Sequence, residues 1–117
     1  MSANALPRRA ETLLWVAQRA SAAMLAAFVL VHLATIIYAV RGGLTAPTIL
    51  GRTHGNLAWL LFYGLFVAAV AVHVPIGLRV IAREWLGWRG RSLDIVALVS
   101  ALYVVVAGWR AIWGLYA

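Results

Sequence analysis

The sequence predicts an all-α membrane protein: three transmembrane helices preceded by a short amphipathic lead-in, with the N-terminus in the cytoplasm. Three observations predict it. Hydrophobic residues make up 65% of the chain and charged residues only 11%. The mean hydropathy is +0.93, well above that of a soluble domain. The apolar residues also fall into three blocks, each long enough for the ~20 residues that cross a bilayer core. In 117 residues there is room for three such blocks and short connections, so residues 1–117 read as a single membrane-anchor domain.

Residues 1–10 are polar and are expected to be mobile. MSANALPRR resembles the basic start of a secretory signal, but the apolar run beyond it is long enough to span, so an uncleaved first helix is expected. ETLLWVAQRAS, from Glu11 to Ser21, can lie along the membrane surface and run into a first span at roughly 20–40. Arg41-Gly42-Gly43 ends that span, and GGLTAPTILGRTHGN reads as a loop of turn residues. The second span is roughly 57–82, with Pro75 removing a backbone donor and bending it. Residues 83–92 form a polar turn, and the third span is roughly 93–113, opened by Asp94 as a cap or first-turn acid. The Ala22/Ala26 and Ala23/Ala27 pairs allow close helix packing.

The net charge of +7 comes entirely from arginine on the basic side, since there is no lysine. Arg8, Arg9, Arg19, Arg79, Arg83, Arg89 and Arg91 fall on one side of the three spans, and Arg41, Arg52 and Arg110 on the other. Positive charge gathers on the cytoplasmic side, which sets the orientation. Trp15, Trp85 and Trp88 mark the inner boundary and Trp59, Trp109 and Trp113 the outer one, as interfacial belts. No basic run is dense enough for nucleic acid. The absence of cysteine excludes disulfides, cysteine-bound iron–sulfur clusters and covalently attached haem.

Two histidines lie within the spans, where an ionisable side chain is costly and so a functional candidate. His73 stacks between Ala69 and Gly77 at four-residue steps. Those small neighbours leave a flat cleft in which a planar group, haem first, could present its metal to the imidazole. His32 shares a face with Gln18, Ser21, Leu25 and Phe28 that should point into a bundle. With Arg19 and Arg79 as inner-interface markers, His32 lies about 20 Å deep and His73 about 9 Å. A difference of about 10 Å argues against one haem bridged by both and favours two, each completed by another chain. The alternative is that each histidine only hydrogen-bonds a neighbouring helix. Arg19 and Arg79 suit haem propionates or a quinone carbonyl, or else snorkel to headgroups. His54 reads as a solvated loop residue.

Gln18-Arg19-Ala20-Ser21 with His32 in the same span, then His73-x-x-x-Gly77-x-Arg79 in the second, resemble the cytochrome b membrane-anchor subunit of succinate dehydrogenases and fumarate reductases. The similarity covers about residues 12–86. It implies a subunit of the bacterial inner membrane that anchors a flavoprotein and an iron–sulfur protein and exchanges electrons with quinone. It also implies haem b ligation by His73, a second haem at His32, Arg19 beside quinone and propionates, and Ser21 as the motif serine. A second membrane-anchor subunit would supply the remaining axial ligands, because the third span has no histidine. Gln18 and Ala22 stand where the family often has His and Gly, and Trp15 stands at the quinone-site serine of one-haem members. With neither a flavin fold nor cluster ligands, the chain alone is not expected to oxidise succinate. A haem b anchor of another quinone-linked dehydrogenase and a haem-free structural membrane subunit are the other readings.

Overall fold

The computed structural model describes residues 6–117, which form four α-helices and, among the described residues, no strand. The first helix, α1, runs from Arg8 to Gly42 over 35 residues. The polar start and the surface lead-in are therefore not separate from the first span, and only residues 1–5 of the expected mobile stretch lie outside the described residues. The reason is local: between Arg8 and Arg41 there is neither Gly nor Pro to break the backbone pattern. At about 1.5 Å per residue α1 is about 52 Å long, well beyond a ~30 Å hydrocarbon core, so its N-terminal turns project past the apolar block.

The expected loop contains a second helix, α2, from Ala46 to Thr53. Thr45 caps it by accepting from the Thr48 N–H at 3.4 Å, Pro47 sits in its first turn, and Gly43 and Gly55 bracket it with positive φ values of 101° and 64°. Pro is tolerated there because first-turn N–H groups have no intrahelical partner. Arg52 places its guanidinium 4.7 Å from the Tyr38 ring centroid, which docks α2 on the end of α1.

The third helix, α3, runs from Leu57 to Trp85 with Pro75 inside it. Asn56 caps it through its side-chain oxygen, 3.1 Å from the Trp59 N–H. It continues three residues beyond the expected end because Arg83 and Glu84 are good helix formers. It stops at Gly87, whose φ of 63° lets the Leu86 and Trp88 N–H groups both return to Ala82 O, at 3.1 and 3.0 Å. The fourth helix, α4, runs from Arg91 to Tyr116. Gly90 is its cap, so Asp94 is a first-turn acid and not the cap.

As residue numbers rise along α1 they fall along α3. Ser21 meets His73, Phe28 meets Phe66 and Phe62, and His32 meets Tyr63. The two helices are antiparallel, and α4 runs antiparallel to α3 in turn. α3 is the middle helix of the three, with most of the packing on its two flanks. The buried apolar residues among those described are few and mostly small, Ala69, Ala82, Leu93, Ala97 and Ile112, and most other large apolar side chains face outward. That is the distribution a lipid solvent permits, where close approach replaces a hydrophobic core. At the far end, Thr53 Oγ1 donates to Leu115 O at 2.8 Å and Gly55 N–H to Tyr116 O at 2.9 Å, which pairs two terminal carbonyls of α4.

The closest α3–α4 approach rests on Gly108, where a Cβ would lie 2.7 Å from both methyl carbons of Val67, while a Cβ at Gly114 would meet nothing within 4 Å. Gly108→Ala should lower stability by about 1–3 kcal/mol through overpacking, whereas Gly114→Ala should raise it by up to about 1 kcal/mol through helix propensity. Thermal unfolding in detergent measures both, and Val67→Ala should rescue the first.

Candidate functional site

A cavity of about 520 Å³ opens between the first half of α1 and the last half of α3. From α1 it is lined by Glu11, Leu14, Trp15, Gln18, Arg19 and Ala22, and from α3 by His73, Ile76, Arg79, Val80 and Arg83. Three residues selected from sequence, His73, Arg19 and Arg79, thus share one wall-to-wall space. The floor is aliphatic, and Arg19, Arg79 and Arg83 outnumber the one acid, Glu11, so the polar lining is net positive, which suits a planar apolar group that carries acidic substituents.

Two of the three guanidiniums at the rim have partners that aim them. Arg19 lies 4.7 Å from the centroid of the Trp15 ring. Arg79 Nη2 pairs with Asp94 Oδ1 at 3.2 Å, tying α3 to the first turn of α4. Buried Ser21 lies on the far side of His73: its hydroxyl is 3.0 Å from Gln18 O and 3.4 Å from His73 Nδ1. Gln18 Oε1 is buried without a hydrogen-bond partner among the described residues. An orphaned acceptor of this kind costs free energy, and beside the cavity it is free to take a donor from an occupant.

The flat cleft expected around Ala69 and Gly77 is filled. Ala69 is buried, and a Cβ at Gly77 would meet Gln18 Nε2 at 3.1 Å. Gly77 therefore serves the close approach of α1, and the space beside His73 opens on the adjoining Ile76/Val80 flank.

His32 is elsewhere. Its Nδ1 lies 2.9 Å from Tyr63 OH, which is itself 3.1 Å from Thr35 Oγ1, and the ring stands edge-on to Tyr63 and Phe66. Ser21 marks the level of His73 on α1, and His32 is eleven residues farther along, about 16 Å. The sequence estimate of about 10 Å was short because Arg19 and Arg79 do not share a level: Arg79 is six residues from His73, Arg19 only two from Ser21. The two imidazoles do not converge. Among the described residues no three His, Cys, Asp or Glu side chains gather as a metal site, so iron held here would take one histidine from this chain at each site. The donor set at the cavity fits a haem in that way: an imidazole, three guanidiniums against one acid, Glu11, and an apolar floor. At His32 the fit rests on the imidazole alone, since that residue does not line the cavity.

Sequence reading passed over Tyr63, Thr35 and the role of Asp94. Tyr63 was within reach, because an antiparallel pair with Ser21 against His73 places residues eleven later on α1 opposite residues ten or eleven earlier on α3. The Arg79–Asp94 contact depends on how α4 packs, which no local pattern encodes. His54 is exposed at the far end, as expected.

The family model for the succinate dehydrogenase/fumarate reductase transmembrane subunit matches residues 5–109. No curated protein and no solved structure gives a significant match.

Asp94 is 58% exposed and Arg79 25%, so the pair is worth less than about 1 kcal/mol. Asp94→Asn should lower the unfolding temperature slightly at low salt and leave it unchanged at high salt, where screening already removes the pair. Thermal melts of both proteins across a salt series check this.

Proposed function

Because the chain belongs to the succinate dehydrogenase/fumarate reductase transmembrane-subunit family, we propose that it is the haem b-binding membrane anchor of a succinate:quinone or quinol:fumarate oxidoreductase. Its partners are an iron–sulfur subunit, a flavoprotein subunit and a second membrane-anchor subunit, and its home is the bacterial inner membrane. The observation that carries this reading is the meeting of His73, Arg19 and Arg79 on one cavity of about 520 Å³ at the arginine-rich end of the helices. The distribution of arginines supports a cytoplasmic side for that end, the side on which a cytoplasmic iron–sulfur protein would dock.

In this reading His73 on α3 would offer one imidazole nitrogen to a haem, and His32 would offer another about 16 Å farther toward the other face. The partner anchor would supply the remaining ligands. A b-type haem at such a site supplies a one-electron redox centre between the cluster and membrane quinone. Arg19, Arg79 and Arg83 hold its carboxylates or a quinone carbonyl at the rim, and their charge favours the reduced, more negative state. Leu14, Ile76 and Val80 keep the floor dry, which strengthens every charge interaction at the rim. Ser21 and Gly77 act behind the ring, the first on the histidine and the second on the helix spacing.

The competing reading, a haem-free membrane subunit, draws on the hydrogen bonds of His73 to Ser21 and of His32 to Tyr63, which give each histidine a structural partner. A reduced-minus-oxidised visible spectrum of the purified complex, with haem quantified as the pyridine adduct, separates the two. The expected result is two b haems per copy of this chain, one lost in His73→Leu and the other in His32→Leu. A colourless complex that assembles normally would overturn the cytochrome reading.

A further inference from the structure

Both intramembrane histidines face a hydroxyl whose own proton is already committed. At the first, Ser21 Oγ donates to Gln18 O at 3.0 Å and lies 3.4 Å from His73 Nδ1. A hydroxyl has one proton and two lone pairs. Ser21 can therefore meet Nδ1 only as an acceptor, and Nδ1 must carry the hydrogen. At the second, the same bookkeeping runs through one more residue. Thr35 Oγ1 donates to His32 O at 2.7 Å, which leaves it an acceptor for Tyr63 OH at 3.1 Å. Tyr63 has then spent its proton on Thr35, so it meets His32 Nδ1, at 2.9 Å, as an acceptor.

We propose that Ser21 and the Tyr63–Thr35 pair are positioning residues that hold His73 and His32 as Nδ1–H tautomers, each ring presenting a bare Nε2 lone pair. The hydrogen bond made by one ring nitrogen decides the state of the other. Neither Nε2 has a hydrogen-bond partner among the described residues. A half-buried acceptor left unpaired is costly, and the arrangement becomes favourable once an electrophile, such as a metal ion, takes the lone pair. A hydroxyl accepting from Nδ1–H also raises the basicity of Nε2 toward a metal. Only the identity of that electrophile rests on the haem reading above; the tautomers do not. The shorter contact at His32 makes its lock the tighter of the two.

The test labels the histidine rings of the full chain with ¹⁵N in detergent micelles and reads each ring's protonated nitrogen by NMR. His54, exposed to solvent, serves as the internal reference, and single histidine substitutions assign the signals. Wild type should show Nδ1–H at His32 and His73 and the ordinary Nε2–H form at His54. Thr35→Val never touches the ring, yet it should flip His32 to Nε2–H, because Tyr63 regains a proton to donate to Nδ1. Ser21→Ala should release His73 and Ser21→Thr should restore it. In the haem-loaded complex, Ser21→Ala and Tyr63→Phe should each raise the midpoint potential of one haem and leave the other unchanged, with the haem content of wild type. A wild-type spectrum with Nε2–H at both rings, or a Thr35→Val protein with His32 unchanged, would overturn the proposal whether or not haem binds. A colourless complex with both Nδ1–H tautomers intact would instead overturn only the haem reading.

Discussion

The antiparallel seam between α1 and α3 is where the spans put their polarity. In hydrocarbon a polar side chain must find a partner inside the protein, and Ser21 and His32 on α1 find theirs on α3, while Gln18 packs against Gly77 with its Oε1 left unpaired among the described residues. One polar face of α1 therefore fixes the rotation of both helices about their axes, and the register follows from Ser21 against His73 and His32 against Tyr63. Phe28, Phe62 and Phe66 fill the space between those two polar levels with edge-on and stacked rings. The seam is thus polar, aromatic and polar along its length. The cavity forms where it opens toward the arginine-rich end.

The other flank of α3 is held by different means. Against α4 there is, among the described residues, no polar side-chain pair until Arg79 and Asp94 near the arginine-rich end, and packing depends on small residues such as Ala69, Ala82, Ala97 and Gly108. Close backbone approach takes the place of hydrogen bonding there. The outward faces of all three long helices remain apolar and exposed, as a membrane subunit requires of surfaces that meet lipid or another anchor chain.

The three spans were legible because length and hydropathy alone define them. Their ends were less so, since end positions depend on breakers: α1 started early because nothing from Arg8 onward interrupts it, and α3 ran on until Gly87. The helix at Ala46–Thr53 was hidden in a segment of turn residues, although Thr45 followed by Pro47 is a start signal in its own right. His73, Arg19 and Arg79 could be grouped from spacing and resemblance. The open face beside His73 could not, because whether Ala69 and Gly77 leave a gap or receive a neighbour depends on where Gln18 lands. The depth comparison failed in magnitude for a similar reason: arginines snorkel, so their Cα positions mark an interface only to within a turn or two.

The bonds from Thr53 and Gly55 to the last carbonyls of α4 join parts of the chain 62 residues apart at Thr53–Leu115. Contacts of such separation carry a large loop-closure cost and form after local ones. The corner between α2 and α3 is therefore a latch that closes only when α4 arrives. During synthesis the first two spans can pair on their own, through residues that are already inserted. Until α4 packs against them, Thr53 and Gly55 hold two donors without these acceptors, so a free corner marks a bundle that lacks its α4.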